Sequence, residues 1–127
     1  MSGIGRVSAL VLECSDPATL ARFWSRVLGV PVTKAGSSWA SLAESGLGQM
    51  SFQRVAGYRP PPWPGRHGEQ QMHLDVLVED LPAATAQVIG WGATARSDVL
   101  DPGPKQWRIF ADPAGHPFCL VTVPEEA

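Results

Sequence analysis

The segment "SDPATLARFW" at residues 15–24 has a counterpart 64 positions later (80 − 16), "EDLPAATAQV" at residues 79–88. In both, an aspartate suited to capping a helix stands just before or near a proline, and an apolar helical face follows. A strand-like run precedes each, and Leu10 and Leu12 map onto Leu74 and Val76 at the same offset. The offset is half of the 127-residue chain. Identity between the halves is weak, but the order of strand, cap and helix repeats. A chain with this pattern is expected to be an internal duplication, with two like units built side by side.

The local signals fill in each half. Residues 6–14 read as a strand, apolar and without Gly or Pro. Asp16 caps a helix with Pro17 in its first turn. Leu20, Phe23, Trp24, Val27 and Leu28 form its apolar face, and Gly29 ends it. Short strands are expected at 30–34, 39–42 and 49–55. The stretch "GYRPPPWPGRHGEQ" follows, with four prolines and three glycines in 14 residues. It reads as a connection, locally stiffened toward polyproline II. A strand at 71–78 restarts the pattern, and Asp80 caps a helix whose face is Leu81, Ala84, Val88 and Trp91. Gly90 and Gly92 end that helix, and strands are expected at 93–96, 106–111 and 117–123. "DPAG" at 112–115 is a turn. The expectation is one α+β domain spanning 1–127, made of two βαβββ modules in tandem whose curled mixed sheets surround a cavity. Module 1 covers about 4–56, the linker 57–69 and module 2 about 70–125.

Strand alternation assigns the faces. Leu10, Leu12 and Cys14 turn toward the first helix, and Ala9, Val11 and Glu13 away from it. Leu74, Val76 and Val78 turn toward the second helix, and His73, Asp75 and Leu77 away. Met50 and Phe52 are core, with Ser51 and Gln53 opposite. Phe118 and Leu120 are core, with Cys119 and Val121 opposite. If the faces opposite the helices cover one another, they enclose a pocket with apolar walls and a few polar groups, a common setting for a ligand.

Three motifs, "SDPATLARFWSRVLG", "HLDVLVEDLPAAT" and "FADPAGHPFCLV", resemble the vicinal oxygen chelate superfamily, the glyoxalase, bleomycin-resistance and extradiol dioxygenase group. The resemblance covers nearly the whole chain. Within the group, it is strongest to the small glyoxalase-like proteins common in actinobacteria. It implies paired βαβββ modules and a homodimer. In metal-using members it also implies four ligands on four strands. Carried over, these positions fall on Ala9, on Ser51 or Gln53, on His73, and on Cys119, where the family pattern has Glu. Alanine offers no donor, and serine and glutamine are weak ligands for a divalent ion. Only His73 and Cys119 remain as metal candidates, below the usual count of three protein ligands. His73 and Cys119 with Asp75 or Glu13 would make a non-standard site.

The metal assignment is therefore none, and no cofactor is expected; the alternative is a divalent metal ion. His73 either hydrogen-bonds a bound molecule or fills the pocket. Asp75 is expected as a buried acid bonded to backbone or arginine, with orientation of His73 as the other reading. Cys119 is expected as an inert buried thiol. His73, Asp75 and Glu13 are the candidate catalytic groups. His73, Gln53, Ser51, Cys119, Trp39, Trp63 and Trp107 are the candidate ligand-binding residues, while Trp24 and Trp91 are expected in the core. His116 and His67 are expected in loops.

Composition narrows the partners. The chain carries a net charge of −2 and 44% hydrophobic residues, with no basic run or basic–aromatic stripe, so nucleic acid is not expected. No apolar run approaches the ~20 residues that span a bilayer, so no membrane partner is expected. The first residues make a poor signal peptide, and the expected location is cytoplasmic, with Cys14 and Cys119 as thiols. The favoured expectation is a metal-free binder of an apolar or aromatic small molecule in a dimer cavity. The alternatives are a lyase, isomerase or dioxygenase using a divalent ion or acid–base chemistry, and a ligand-free structural or regulatory dimer.

Overall fold

The computed structural model describes residues 3–62, 72–100 and 105–123. The chain divides into two compact units, Met1–Arg59 and Pro60–Ala127. Each unit is α+β, with one four-stranded mixed sheet and one helix, and neither sheet closes into a barrel.

In the first unit, β1 (Ala9–Cys14) is followed by α1 (Pro17–Leu28), β2 (Val32–Ala35), β3 (Trp39–Leu42) and β4 (Gln49–Arg54). The sheet order is β1-β4-β3-β2. β1 pairs with β4 in parallel, and the other pairings are antiparallel. The second unit repeats this with β5 (Leu74–Leu77), α2 (Leu81–Gly90), β6 (Thr94–Ala95), β7 (Trp107–Ala111) and β8 (Pro117–Val121), in the order β5-β8-β7-β6. β5 pairs with β8 in parallel. A parallel neighbour cannot be reached by a hairpin, so in both units the chain goes through the helix and the outer strands before returning to the centre.

Both helices start as their sequences require. Asp16 accepts hydrogen bonds from the Thr19 backbone N–H and the Thr19 hydroxyl, at 3.3 and 2.7 Å. Asp80 accepts from the Ala83 N–H at 3.0 Å. Gly29, at φ 67°, closes α1 in the left-handed conformation that glycine adopts without strain. α1 buries Leu20, Ala21, Phe23 and Trp24 against β2, β3 and β4. The Phe23 and Trp24 rings meet edge to face, 5.4 Å between centroids. In the second unit Phe110 and Phe118 stack at 5.5 Å beneath α2. Both are fully buried, and truncating either to Ala is expected to cost about 3–5 kcal/mol.

Several expectations need correction. Leu28 is exposed, because it sits in the last turn of α1; Ala21 takes a place in the core instead. Trp91 is half-buried at the C-cap of α2 and is not part of the helix face. The strands are shorter than their apolar runs. β1 begins at Ala9 because its partner begins at Gln49. There, Gly48 at φ 69° lies so close to the chain before β1 that a Cβ would stand 2.7 Å from the Val7 and Ser8 carbonyl oxygens. β5 begins at Leu74, paired with Phe118. The β8 residue that would stand opposite His73 is Pro117, which has no N–H to donate. His73 therefore stands just before the ladder.

The turn between β7 and β8 is built around Asp112, which is buried. Its Oδ1 accepts from the N–H groups of Ala114 and His116, both at 2.9 Å. Its backbone carbonyl accepts from Gly115 at 2.8 Å. This turn leads directly into β8, whose five residues are all buried.

Candidate functional site

The face of the second sheet that lies away from α2 carries the polar groups. On β5, exposure alternates: Leu74 and Val76 are half-buried, while Asp75 and Leu77 are exposed. His73 and Asp75 are two residues apart and lean toward each other. The His73 Nε2 lies 3.3 Å from the Asp75 Oδ1, an ion pair whenever the imidazole is protonated. Both side chains keep solvent contact, at 43% and 38% exposure, so the pair is worth little to stability. Asp75 is thus exposed rather than buried, contrary to expectation; its partner His73 stands just before its strand, and a further neighbour lies on the next.

That neighbour is Cys119, which stands opposite Asp75 in the parallel ladder of β5 and β8. Burial first, then the charge of Asp75 and hydrogen bonding toward it, push the Cys119 pKa up to about 11. At neutral pH Cys119 is a thiol and not a thiolate, so it is a poor nucleophile. One donor atom from each of His73, Asp75 and Cys119 falls within 4.8 Å of the others.

A cavity of about 510 Å³ opens over these groups. Trp107, Val121, Val123 and Cys119 line it alongside His73, Asp75, Lys105 and Gln106. Trp107 faces Val121 across the β7–β8 pairing. Strand alternation puts His73, Asp75, Cys119 and Val121 on this side, and Trp107 is among the ligand-binding candidates, but the sequence does not point to Lys105, Gln106 or Val123. Those three flank strands that point into the pocket, so they were legible only as neighbours of Trp107 and Val121.

The first sheet has equivalent positions with different chemistry. Val11 pairs with Ser51 as Asp75 pairs with Cys119. Trp39 pairs with Gln53 as Trp107 pairs with Val121. Ser51, rather than Gln53, is therefore the counterpart of Cys119, and both Ser51 and Trp39 lie 68 positions before their mates (119 − 51 and 107 − 39). The two serines of this face are buried and hydrogen-bonded to each other. Ser41 Oγ lies 3.0 Å from Ser51 Oγ, and Trp39 Nε1 donates to Ser41 Oγ at 3.0 Å. Gln53 and Glu13 are paired neighbours at the far end of β4 and β1, both exposed. Trp63 lies outside the described residues, as does His67. His116 sits in the turn after Asp112, as expected.

The chain matches the family described as a glyoxalase-like domain over residues 9–121. It belongs to that family. The glyoxalase-like domain is part of the vicinal oxygen chelate superfamily, and solved structures agree on the fold. A glyoxalase/bleomycin resistance protein/dioxygenase family enzyme from Burkholderia phytofirmans is similar with a TM-score of 0.71 at 15% identity, covering 94% of this chain and 100% of that one. A glyoxalase-related enzyme from Fulvimarina pelagi gives 0.70 at 17%, covering 98% and 94%. A glyoxalase family protein from Enterococcus faecalis gives 0.63 at 20%, covering 93% and 98%. No curated protein matches the chain by sequence. Among the described residues, no helix of this glyoxalase-like chain is long and apolar enough to cross a membrane.

The four-ligand arrangement implied by the superfamily does not fit these residues. Ala9 has no donor atom, and the Ser51 hydroxyl is buried and already bonded to Ser41. Among the described residues, what fits an ion is a smaller set in the second unit: one imidazole nitrogen, one carboxylate oxygen and one sulfur.

Proposed function

We propose that this glyoxalase-like protein binds a small apolar or aromatic molecule in the pocket of its second module and is metal-free at rest. The observation that supports this best is the cavity itself. Its volume falls within the few hundred to about 1,000 Å³ usual for small-molecule sites. Trp107, Val121 and Val123 offer an apolar wall, and the indole gives a flat guest a stacking surface. His73, held by Asp75, offers a donor or an acceptor at the pocket floor. The thiol state of Cys119 keeps that floor unreactive toward electrophilic guests. A homodimer and a cytoplasmic location belong to the same proposal. Leu77 on the open face of β5 is 58% exposed, which favours cover by another surface. Cys14 and Cys119 are not joined in a disulfide.

Tryptophan fluorescence tests the proposal. A polyaromatic compound is expected to quench it saturably in the wild-type protein. Quenching is expected to disappear in Trp107→Ala and weaken in His73→Ala, with circular dichroism unchanged. Equal quenching in both folded variants would rule out this pocket.

A second reading has its own support. His73, Asp75 and Cys119 offer three donors together, and the Burkholderia phytofirmans and Fulvimarina pelagi relatives are called enzymes. Under it the chain is a lyase, isomerase or dioxygenase, using either a divalent ion or His73 as an acid–base group oriented by Asp75. When bound, an ion would supply Lewis acidity at the pocket floor. Protein purified without an affinity tag and carrying one tightly held ion per chain would favour this reading.

A further inference from the structure

We infer that the pocket of the second module selects a flat aromatic guest that carries an acidic group, an aryl carboxylate, and that Lys105 is the residue that selects it. The inference rests on the guest-binding proposal above and names the class of guest.

The register of the second sheet places the lysine. β7 and β8 pair from Trp107 and Val121 onward. The pairing runs one step further, because the Thr122 N–H donates to the Gln106 carbonyl at 3.0 Å and the Gln106 N–H donates to the Thr122 Oγ1 at 2.9 Å. Lys105 therefore comes opposite Val123, and strand alternation puts both on the face of Trp107, Val121 and Cys119. All five line the cavity. Lys105 is half-buried there, whereas lysines that only solvate a surface stay exposed. The fold does not ask for a cation at this point. The first module has Ser37 two residues before Trp39, where the second has Lys105 two residues before Trp107.

The charges of the pocket are sorted along its length. Asp75, close to His73, stands opposite Cys119, which comes four residues before Val123. At about 3.3 Å per residue, the acidic level and the Lys105 level are about 13 Å apart along the strand. That exceeds the screening length of about 8 Å at physiological salt, so Asp75 does little to repel an anion placed at Lys105. Trp107 and Val121 fill the interval between the two levels. A flat ring laid on the indole thus directs its acid to the ammonium and its far edge toward His73. An ammonium has three N–H donors, so a guest can share it with the protein's own groups. A carboxylate held against apolar walls needs such a partner to offset its lost hydration.

The test is calorimetric titration of the full-length protein with a naphthoate and with the matching uncharged naphthamide, read as the ratio of their affinities. The wild type is expected to bind the naphthoate about tenfold more tightly, the scale of one hydrogen bond to a charged group. Added salt should shrink that preference. The ratio should fall to near one in Lys105→Gln and survive in Lys105→Arg, with circular dichroism unchanged. It should also survive in Lys34→Gln, a change at an exposed lysine on β2. Equal affinity for the two probes in the wild type, or a preference kept in Lys105→Gln, would overturn the inference and leave the guest-binding proposal in place. Binding of neither probe would overturn both.

Discussion

Cys119 is the residue whose setting is least ordinary. Its thiol is buried beside a carboxylate, and its pKa is raised to about 11. A raised thiol pKa means that the reactive thiolate is scarce until the pH approaches that value. Alkylation by iodoacetamide at pH 8 is therefore expected to be much slower than for a simple thiol. Asp75→Asn, which removes the charge that faces it, should speed the reaction. A rate in Asp75→Asn equal to that of the wild type would mean that Asp75 does not act on the thiol. Asp112 behaves differently: the residue is buried, and its Oδ1 accepts from two backbone N–H groups. Asp112→Ala leaves those groups unpaired and is expected to cost about 1–3 kcal/mol in urea unfolding. The two aspartates show what was legible at this scale. "DPAG" announces its turn because Asp, Pro and Gly each have a local reason to be there. The contact between His73 and Asp75 was legible only as the alternative reading, since an i, i+2 spacing fixes the shared face and leaves the lean of the side chains open.

At the scale of elements, both helices were readable at their starts, because the capping aspartate and the early proline act on their own neighbours. The pH dependence of α1 follows from the same cap. The Thr19 hydroxyl, then its backbone N–H, hold the Asp16 carboxyl below its ordinary value of 3.8. The folded pKa is depressed, so the cap contributes fully above that value and its contribution is lost as pH falls through the folded pKa. Asp16→Ala is expected to cost about 1 kcal/mol near neutral pH. The gap in melting temperature between it and the wild type should narrow below pH 3.8. A gap that stays constant to low pH would show that the charge of Asp16 is not involved. Strand ends were less legible, because a ladder stops where the partner stops. The start of β1 is set by Gly48 and Gln49, some forty residues away in sequence. Gly48→Ala should destabilise the protein by more than about 1 kcal/mol, through positive φ and collision with the Val7 and Ser8 carbonyls.

For the whole molecule, the duplication explains why one half carries the candidate site and the other does not. The two units share strand order, parallel pairing and a tryptophan at the same place on their third strand. On the first sheet the polar positions are tied up in the Trp39–Ser41–Ser51 hydrogen bonds. On the second, His73, Asp75 and Cys119 face a cavity. The offset between the caps revealed the repeat, yet the later strands are displaced by four more positions, which hid the match of Trp39 with Trp107 and of Ser51 with Cys119. The pocket is where the account stands or falls, and a crystal structure of the protein soaked with a polyaromatic guest tests it most directly. The account predicts density for the guest packed on the Trp107 indole and within hydrogen-bond reach of His73. Density for the guest only at other surfaces, with the space between Trp107 and His73 filled by the protein's own side chains, would contradict it.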